Sequence, residues 1–360
     1  MHFLISIYIG ILTAWAFRKR QNTDTLGLWR VGACLVAALV PHLDQLFYLF
    51  GEGTGLVYQY TFMWSALLAP VFAFAIAQGF SYISGGHQPE SKRTWQRFFL
   101  SVFAVFVFNI ALAVFSQNGV ALLAPLWFGR ASLSIIHSFD IGLLIGLLVF
   151  TLLGLMMGKW KTDVARVVLV LLIAYVGIVG TFKIKAYNVG IRYGEAMELN
   201  VEKVYTLPQP LSPFYWRIVV LTDSGRLHDT RISLKRENPI PLTPGMNAVQ
   251  RAKASYMPIH AAIWRIYNRY GQTAPDFVME GWQSDISQSL GWPSRFAVFE
   301  KLREYEGMTC AQLKDLRFEG VKSEHLGVYL LCRNKEGDNS VWQAYQAADE
   351  DEFFRLDAIY

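Results

Sequence analysis

Four side chains in the N-terminal half of this 360-residue chain could do chemistry: His42, Asp44, His137 and Asp140. The first two lie in Pro41-His42-Leu43-Asp44-Gln45, inside an otherwise apolar run from Val31 to Phe50, and the last two open another apolar run. Imidazoles and carboxylates are the donors that hold a catalytic Zn, Mn or Fe while leaving one position open for water. Asp44, Asp140 and His42 are the candidate metal ligands. All four residues are candidate catalytic groups, with carboxylate as base and imidazole as proton carrier. An ionisable group at membrane depth costs about 3 kcal/mol or more unless it is paired or faces a cavity, so its presence marks a site. The competing reading is a polar cluster satisfied by hydrogen bonds and water alone.

The elements that must position these groups are membrane helices. Hydrophobic residues make up 53% of the chain and charged residues only 17%, and the apolar excess lies in the first half. About 20 apolar residues cross the hydrocarbon core, and six stretches qualify: 1–17, 26–50, 56–80, 98–116, 139–157 and 164–182. The first is short enough to be tilted, interfacial or re-entrant. Its basic Arg18-Lys19-Arg20 follows the apolar core, whereas in a signal peptide the basic region comes first. The formal net charge is +5, but residues 183–360 hold 22 basic and 22 acidic side chains, against 11 and 6 in residues 1–182. Arg18, Lys19, Arg20, Lys92, Arg93, Arg97, Lys159, Lys161 and Arg166 fall in alternate loops, and the intervening loops offer only Arg130. The positive-inside rule makes the basic loops cytoplasmic and puts the N-terminus and residues 183–360 on the outer face of the cytoplasmic membrane. The charge therefore reports topology, and there is no basic aromatic stripe for nucleic acid.

With that topology, His42, Asp44, Gln59, Gln117, Asn118, His137 and Asp140 all collect on the outer face. Pro41 kinks the second span or ends its regular part, and Gly51-Glu52-Gly53-Thr54-Gly55 turns the chain. The third span carries Tyr58, Gln59, Tyr60, Thr61 and Ser65 in its outer half, either as part of the polar cluster or as an interfacial aromatic belt. Asn109, inside the fourth span, suits a hydrogen bond to a neighbouring helix. Residues 117–138 are apolar but broken by Asn118-Gly119, Pro125 and Gly129-Arg130, which suits a re-entrant or interfacial loop. If the fifth helix already runs there, His137 and Asp140 share a face.

Residues 183–360 are long enough for a core of their own and read as a small α+β domain resting over the polar cluster. Pro208-Gln209-Pro210-Leu211-Ser212-Pro213 is a stiff connector, and residues 216–221 and 227–233 flank Asp223-Ser224-Gly225 as a hairpin. Periodicity predicts helices over 255–270 and 293–305, and strands over 315–318, 327–333 and 341–345. Cys34 is a small core residue; Cys310 and Cys332 either pair in an oxidising compartment or stay as two buried thiols.

These motifs resemble, over nearly the full length, the membrane-bound metal-dependent hydrolase family of the bacterial YdjM and YbcI type. That family's Pro-Asp-x-Asp sequence falls on Pro41-His42-Leu43-Asp44, and its His-Arg-Gly-x-Thr-His-Ser sequence falls on Gln59-Tyr60-Thr61-Phe62-Met63-Trp64-Ser65. Its His-x-x-x-Asp pair falls on Asn109 and Ala113, and its Tyr-Gly-Thr and Leu-Leu-x-Pro elements on Asn118-Gly119-Val120 and Leu122-Leu123-Ala124-Pro125. Its later aspartate falls on Asp140. In the outer domain, Trp216-Arg217, Trp292-Pro293-Ser294-Arg295-Phe296 and Asp315-Leu316-Arg317-Phe318 are similar to further family elements. The resemblance implies a divalent metal held in part by Asp44 and Asp140, with Gln59, Trp64, Asn109 and Ala113 standing where the family has other ligands.

Two functions follow as expectations. One is a hydrolase acting on a lipid or envelope-associated substrate at the outer membrane face, with the outer domain as lid. The other is a catalytically inactive relative that binds a ligand or partner. A transporter would show polar groups at the bilayer midplane and an internal repeat, and the chain shows neither. Nor does it contain a phosphate-binding loop, a nucleophile elbow or a His-Glu-x-x-His motif.

Overall fold

A computed structural model describes residues 2–18, 27–50, 54–55, 58–84, 91–289, 296–318, 327–334, 341–348 and 352–356. Among the described residues, the long helices of the N-terminal half are α1 (His2–Ala16), α2 (Gly27–Leu39), α3 (Ala69–Ile83), α4 (Ser91–Phe115), α5 (Ile141–Met156) and α6 (Lys161–Ala196). Among the described residues, three segments are long and apolar enough to cross a membrane: Gly27–Phe50, Trp95–Phe115 and Lys161–Ala196. The expectation of six such spans reduces to three, because α1, α3 and α5 are apolar but have only 15, 15 and 16 residues. At 1.5 Å per residue they reach only about 22–24 Å. In the stretch expected as a third span, 56–80, the long helix begins only at Ala69; Tyr58 is helical, residues 59–61 are turn and bend, and Phe62–Trp64 is a short 3-10 turn.

Neighbouring helices run antiparallel. Ser6 near the start of α1 meets His42 beyond the end of α2, and Arg166 near the start of α6 donates to the Ala16 carbonyl at the end of α1. Trp29 of α2 packs on Phe80 of α3, and Phe80 and Phe72 pack on Phe98 and Phe106 of α4. Small residues allow this close approach: a side chain at Gly10 would press on the Cys34 carbonyl, and Ala33, Ala37, Ala73 and Ala77 are fully buried.

Pro41 acts as expected. It disfavours the α conformation at the residue before it and offers no amide donor, so α2 stops at Leu39 and the chain continues as 3-10 helix from Val40 to Phe50. At three residues per turn, positions i and i+3 eclipse; Pro41 and Asp44 are both buried on one face, while Leu43, Leu46 and Leu49 are exposed.

α6 is 36 residues long, about 54 Å against a hydrocarbon core of about 30 Å. It runs unbroken through residue 182 and carries the sheet domain on its protruding end. Gly190 and Gly194 make the contact, since a side chain at either would overlap Val204 or Val201. Strands β1 (Val201–Pro208), β2 (Tyr215–Thr222), β3 (Arg226–Ser233), β4 (Met257–Pro258) and β5 (Arg265–Asn268) form the first sheet, in the order β1-β2-β3-β4 with β5 also paired to β3. Strands β6 (Ala297–Tyr305), β7 (Met308–Asp315), β8 (Val328–Asn334), β9 (Trp342–Ala347) and β10 (Phe353–Leu356) form a second, antiparallel sheet in reverse order. One face of the first sheet packs on α6 through Val204, Ile218, Val220 and Ile232. Its other face meets the second sheet through Leu207, Val219, Leu227, Phe296, Val298 and Leu316. Short helices α7 (Ala248–Ala254), α8 (Pro275–Gln283) and α9 (Asp285–Ser289) complete the domain.

The hairpin around Asp223-Ser224-Gly225 forms as expected, with Gly225 at φ +73°. The helix expected over 255–270 does not form; that stretch holds β4, a 3-10 turn (Ile259–Ala261) and β5. Its stripe of isoleucines is exposed, with Ile259, Ile263 and Ile266 at 45, 59 and 60%, so it is a surface feature and not the core face of a helix. The helix expected over 293–305 is strand β6 from Ala297; residues 293–295 lie outside the described residues, as do Trp292 and Gly51-Glu52-Gly53. Pairing along β7 decides this case, since tertiary packing overrides a local helical pattern. Asp315 ends β7, and Leu316–Phe318 is a 3-10 turn, not a strand.

Candidate functional site

The end of the bundle where α4 finishes and α5 begins is closed by two irregular segments laced to each other. Residues 116–136 fold back on themselves, with Val120 and Ala131 exchanging backbone hydrogen bonds and Leu133 and Ile135 donating to Val114 and Phe115. Gly119, at φ +69°, lies so close to Ala131 and Ser132 that a Cβ would overlap them. Residues 58–68 attach to this fold: Ala121 donates to the Tyr60 carbonyl, Ala66 donates to the Leu122 carbonyl, and the Ser65 hydroxyl donates to the Ala124 carbonyl at 2.6 Å. Protein groups thus satisfy much of the irregular backbone.

Asp44 projects from the 3-10 segment into this seam with 2% exposure. Its Oδ2 accepts the Tyr60 backbone N–H at 2.6 Å. Tyr60 has φ +61°, a conformation that costs a non-glycine residue energy, and the carboxylate bond holds it there. Arg130, the lone basic side chain noted in the outer loops, donates to the Gln59 carbonyl at 2.8 Å. Burial pulls its guanidinium down to about 10; the nearby Arg317 charge adds to this and Tyr60 and Asp44 oppose it. Arg317 belongs to the sheet domain, and Tyr58 packs into that domain's second core, so the sheets cover this end of the bundle. Tyr48, 39% exposed, donates to Gln59 Oε1 at 3.4 Å on the rim.

Although Trp64 touches both, His42 has a different hydrogen-bond partner from Asp44. Its Nε2 is 3.0 Å from the Ser6 hydroxyl, and its ring packs edge-on against Phe3 and Trp64. Trp64 is 1% exposed and clusters with Ala113 and Val120. These are two of the positions to which the resemblance assigns ligands, so an indole against a methyl fills that volume. Asn109, at a third such position, donates to the Val105 carbonyl of its own helix instead of a neighbour's.

Asp140 and His137 do not share a helical face, because α5 begins at Ile141. Asp140 is the cap of that helix. Its Oδ1 accepts the Leu143 N–H at 2.9 Å and its Oδ2 accepts the Tyr175 hydroxyl at 2.5 Å, satisfying an orphan donor of the first turn. His137 Nδ1 accepts the Phe139 N–H at 2.9 Å, and Nε2 sits 3.3 Å from the Gln117 amide. With Nδ1 an acceptor, the ring proton is on Nε2, and Gln117 serves best with its oxygen toward it. Among the described residues, no three His, Cys, Asp or Glu side chains come together as a metal-binding group. The four candidates instead sit in four hydrogen-bonded sets: His42 with Ser6, Asp44 with Tyr60, His137 with Phe139 and Gln117, and Asp140 with Leu143 and Tyr175. Tyr175 was not legible as a partner of Asp140; its only signal is a hydroxyl inside an apolar run.

Burial lowers the His137 pKa to about 4, below the ordinary value of about 6.5. The unfolded chain therefore binds more protons than the folded one between these values, and the stability due to neutral His137 is complete above about pH 6.5 and falls as the pH drops toward 4. The expected result is a melting temperature in detergent that declines over this window less steeply in His137→Gln than in the wild type. Parallel curves for the two proteins would show that the ring is not held neutral.

Compared with protein-family models, with curated proteins and with solved structures, the chain matches none.

Proposed function

We propose that this is a polytopic membrane protein of binding type, which takes a polar headgroup or another envelope component at the outer end of its helices, beneath the sheet domain. The observation that carries this reading is that both carboxylates expected to hold a metal already have protein donors: a backbone N–H for Asp44, and an N–H and a hydroxyl for Asp140. The filling of the expected ligand volume by Trp64 and Ala113 supports it further. Around Asp44 and Arg130, the half-buried Gln59 and Asn118 offer donors and acceptors to a ligand without needing a metal. The hydrolase reading requires Asp44, His42 and Asp140, which sit in separate hydrogen-bonded sets, to converge on one Zn, Mn or Fe.

In the topology we propose, all six helices cross the cytoplasmic membrane, the short ones with help from flanking irregular chain, and the sheet domain lies outside. The antiparallel order favours this, as does the charge: Arg18, Lys161 and Arg166 gather where α1 ends and α6 begins, opposite to the polar cluster. Metal analysis of the full-length protein after gentle extraction tests the function. The expected result is Zn, Mn and Fe each far below one per chain. A near-stoichiometric metal that is lost in Asp44→Asn, a variant that keeps an acceptor for Tyr60, would establish the hydrolase reading in its place.

A further inference from the structure

The gap in the edge of β3 carries an inference independent of the Asp44 cluster. On the edge of β3 away from β2, β5 pairs over Arg226–Asp229 and β4 over Ile232–Ser233, so among the described residues no strand lies beside Thr230 and Arg231 on that edge. A cavity of about 480 Å³ opens there, a size that holds a drug-sized ligand. Its apolar lining includes Ile240, Leu242, Met257 and Ile263, and its cations are Arg231 and Arg265. Asp229 also lines it, but that carboxylate is committed to Arg217 through two hydrogen bonds. The rim is apolar and exposed, with Leu242 at 73% and Ile263 at 59%, and the isoleucines at 259 and 266 extend the patch.

The position of the cavity says what reaches it. α6 starts at Lys161, and a core of about 30 Å is used up after about 20 residues, which puts its exit near Phe182. The Phe182 ring packs on Phe214 at 4.8 Å, and Leu234, just after β3, donates to the Phe214 carbonyl. The lower end of β3 and the start of the loop containing Ile240 and Leu242 therefore stand at the membrane surface. Thr230 and Arg231 are three or four residues higher, about 10 Å up at the rise of a strand. An apolar cavity with cationic walls so close to a leaflet matches a lipid that is apolar at one end and anionic at the other.

We propose that this cavity takes an acyl chain of an anionic phospholipid from the adjacent leaflet, with the headgroup held at Arg231 and Arg265. The full-length protein is placed in nanodiscs containing phosphatidylglycerol with a diazirine in one acyl chain, irradiated and mapped by peptide mass. The expected label lies within residues 239–263 and drops about tenfold in Leu242→Asp/Ile263→Asp, since two lost apolar contacts are worth more than one decade of affinity. Both side chains are exposed, so the variant folds. Arg265→Gln lowers labelling by phosphatidylglycerol but not by the same probe in phosphatidylcholine. Label confined to the helices, or unchanged in the double variant, overturns the proposal. Equal labelling by the two lipids overturns the anionic assignment.

Discussion

Arg217→Met is expected to destabilise the sheet domain by about 3–5 kcal/mol, because it leaves a buried carboxylate without its partner. Arg217 and Asp229 are each 2% exposed and joined by two hydrogen bonds of 2.6 and 2.8 Å. The third guanidinium nitrogen, Nη1, donates to the Leu316 carbonyl in the turn that follows β7 of the second sheet. The pair sits on the face of the first sheet that also presents Val219, Leu221 and Leu227 to Phe296, Val298 and Leu316, so it ties two sheets together where water is excluded. A buried ion pair often adds little net stability over an apolar replacement, while half of one is costly. Arg217→Met/Asp229→Leu should therefore recover most of the loss in chemical unfolding of the full chain followed by tryptophan fluorescence. A single variant that loses less than about 1 kcal/mol, the range of an exposed pair, would sink the bridging role.

Sequence periodicity could reach the features decided by nearby residues. Pro41 ended a helix because its effect is confined to its own turn, and Asp223-Ser224-Gly225 made a hairpin because Gly225 supplies the left-handed turn residue. The 117–138 stretch, expected as a re-entrant or interfacial loop, is irregular for the same local reason, broken at Gly119, Pro125 and Gly129. What failed depended on partners far along the chain. Ile259, Ile263 and Ile266 have helical spacing, yet β3 captures residues 265–268 as a strand and leaves the isoleucines exposed. Asp140 carried the residue type of a ligand, but its fate was set by where α5 starts and by a hydroxyl 35 residues away. Asp44 was rightly read as buried and polar. Its partner is a backbone N–H at Tyr60, a donor every residue but proline carries and no side-chain motif can announce.

Cys310 and Cys332 are register partners on β7 and β8 and are joined as a disulfide, 22 residues apart in sequence. Closing a loop of that length in the unfolded chain is worth about 3 kcal/mol, so Cys310→Ala/Cys332→Ala should unfold at distinctly lower denaturant than the wild type. The same bond bears on topology, because disulfides persist in oxidising compartments and are rare in the cytosol. Both residues are fully buried, so denaturation must precede the chemistry that reads them. Cells quenched with acid, then denatured and alkylated, are expected to give one modified thiol, Cys34, in full-length protein, and three after reduction. Three without reduction would mean that the pair is reduced in the cell, which removes the covalent tie and the reason for an outer placement together. If the bond is present, the sheet domain must lie on the oxidising side, α6 must end there, and Asp44 and Arg130 beneath it must face the same compartment. The ligand would then arrive from outside the cell membrane, since His42, Asp44, His137 and Asp140 all belong to that end of the helices.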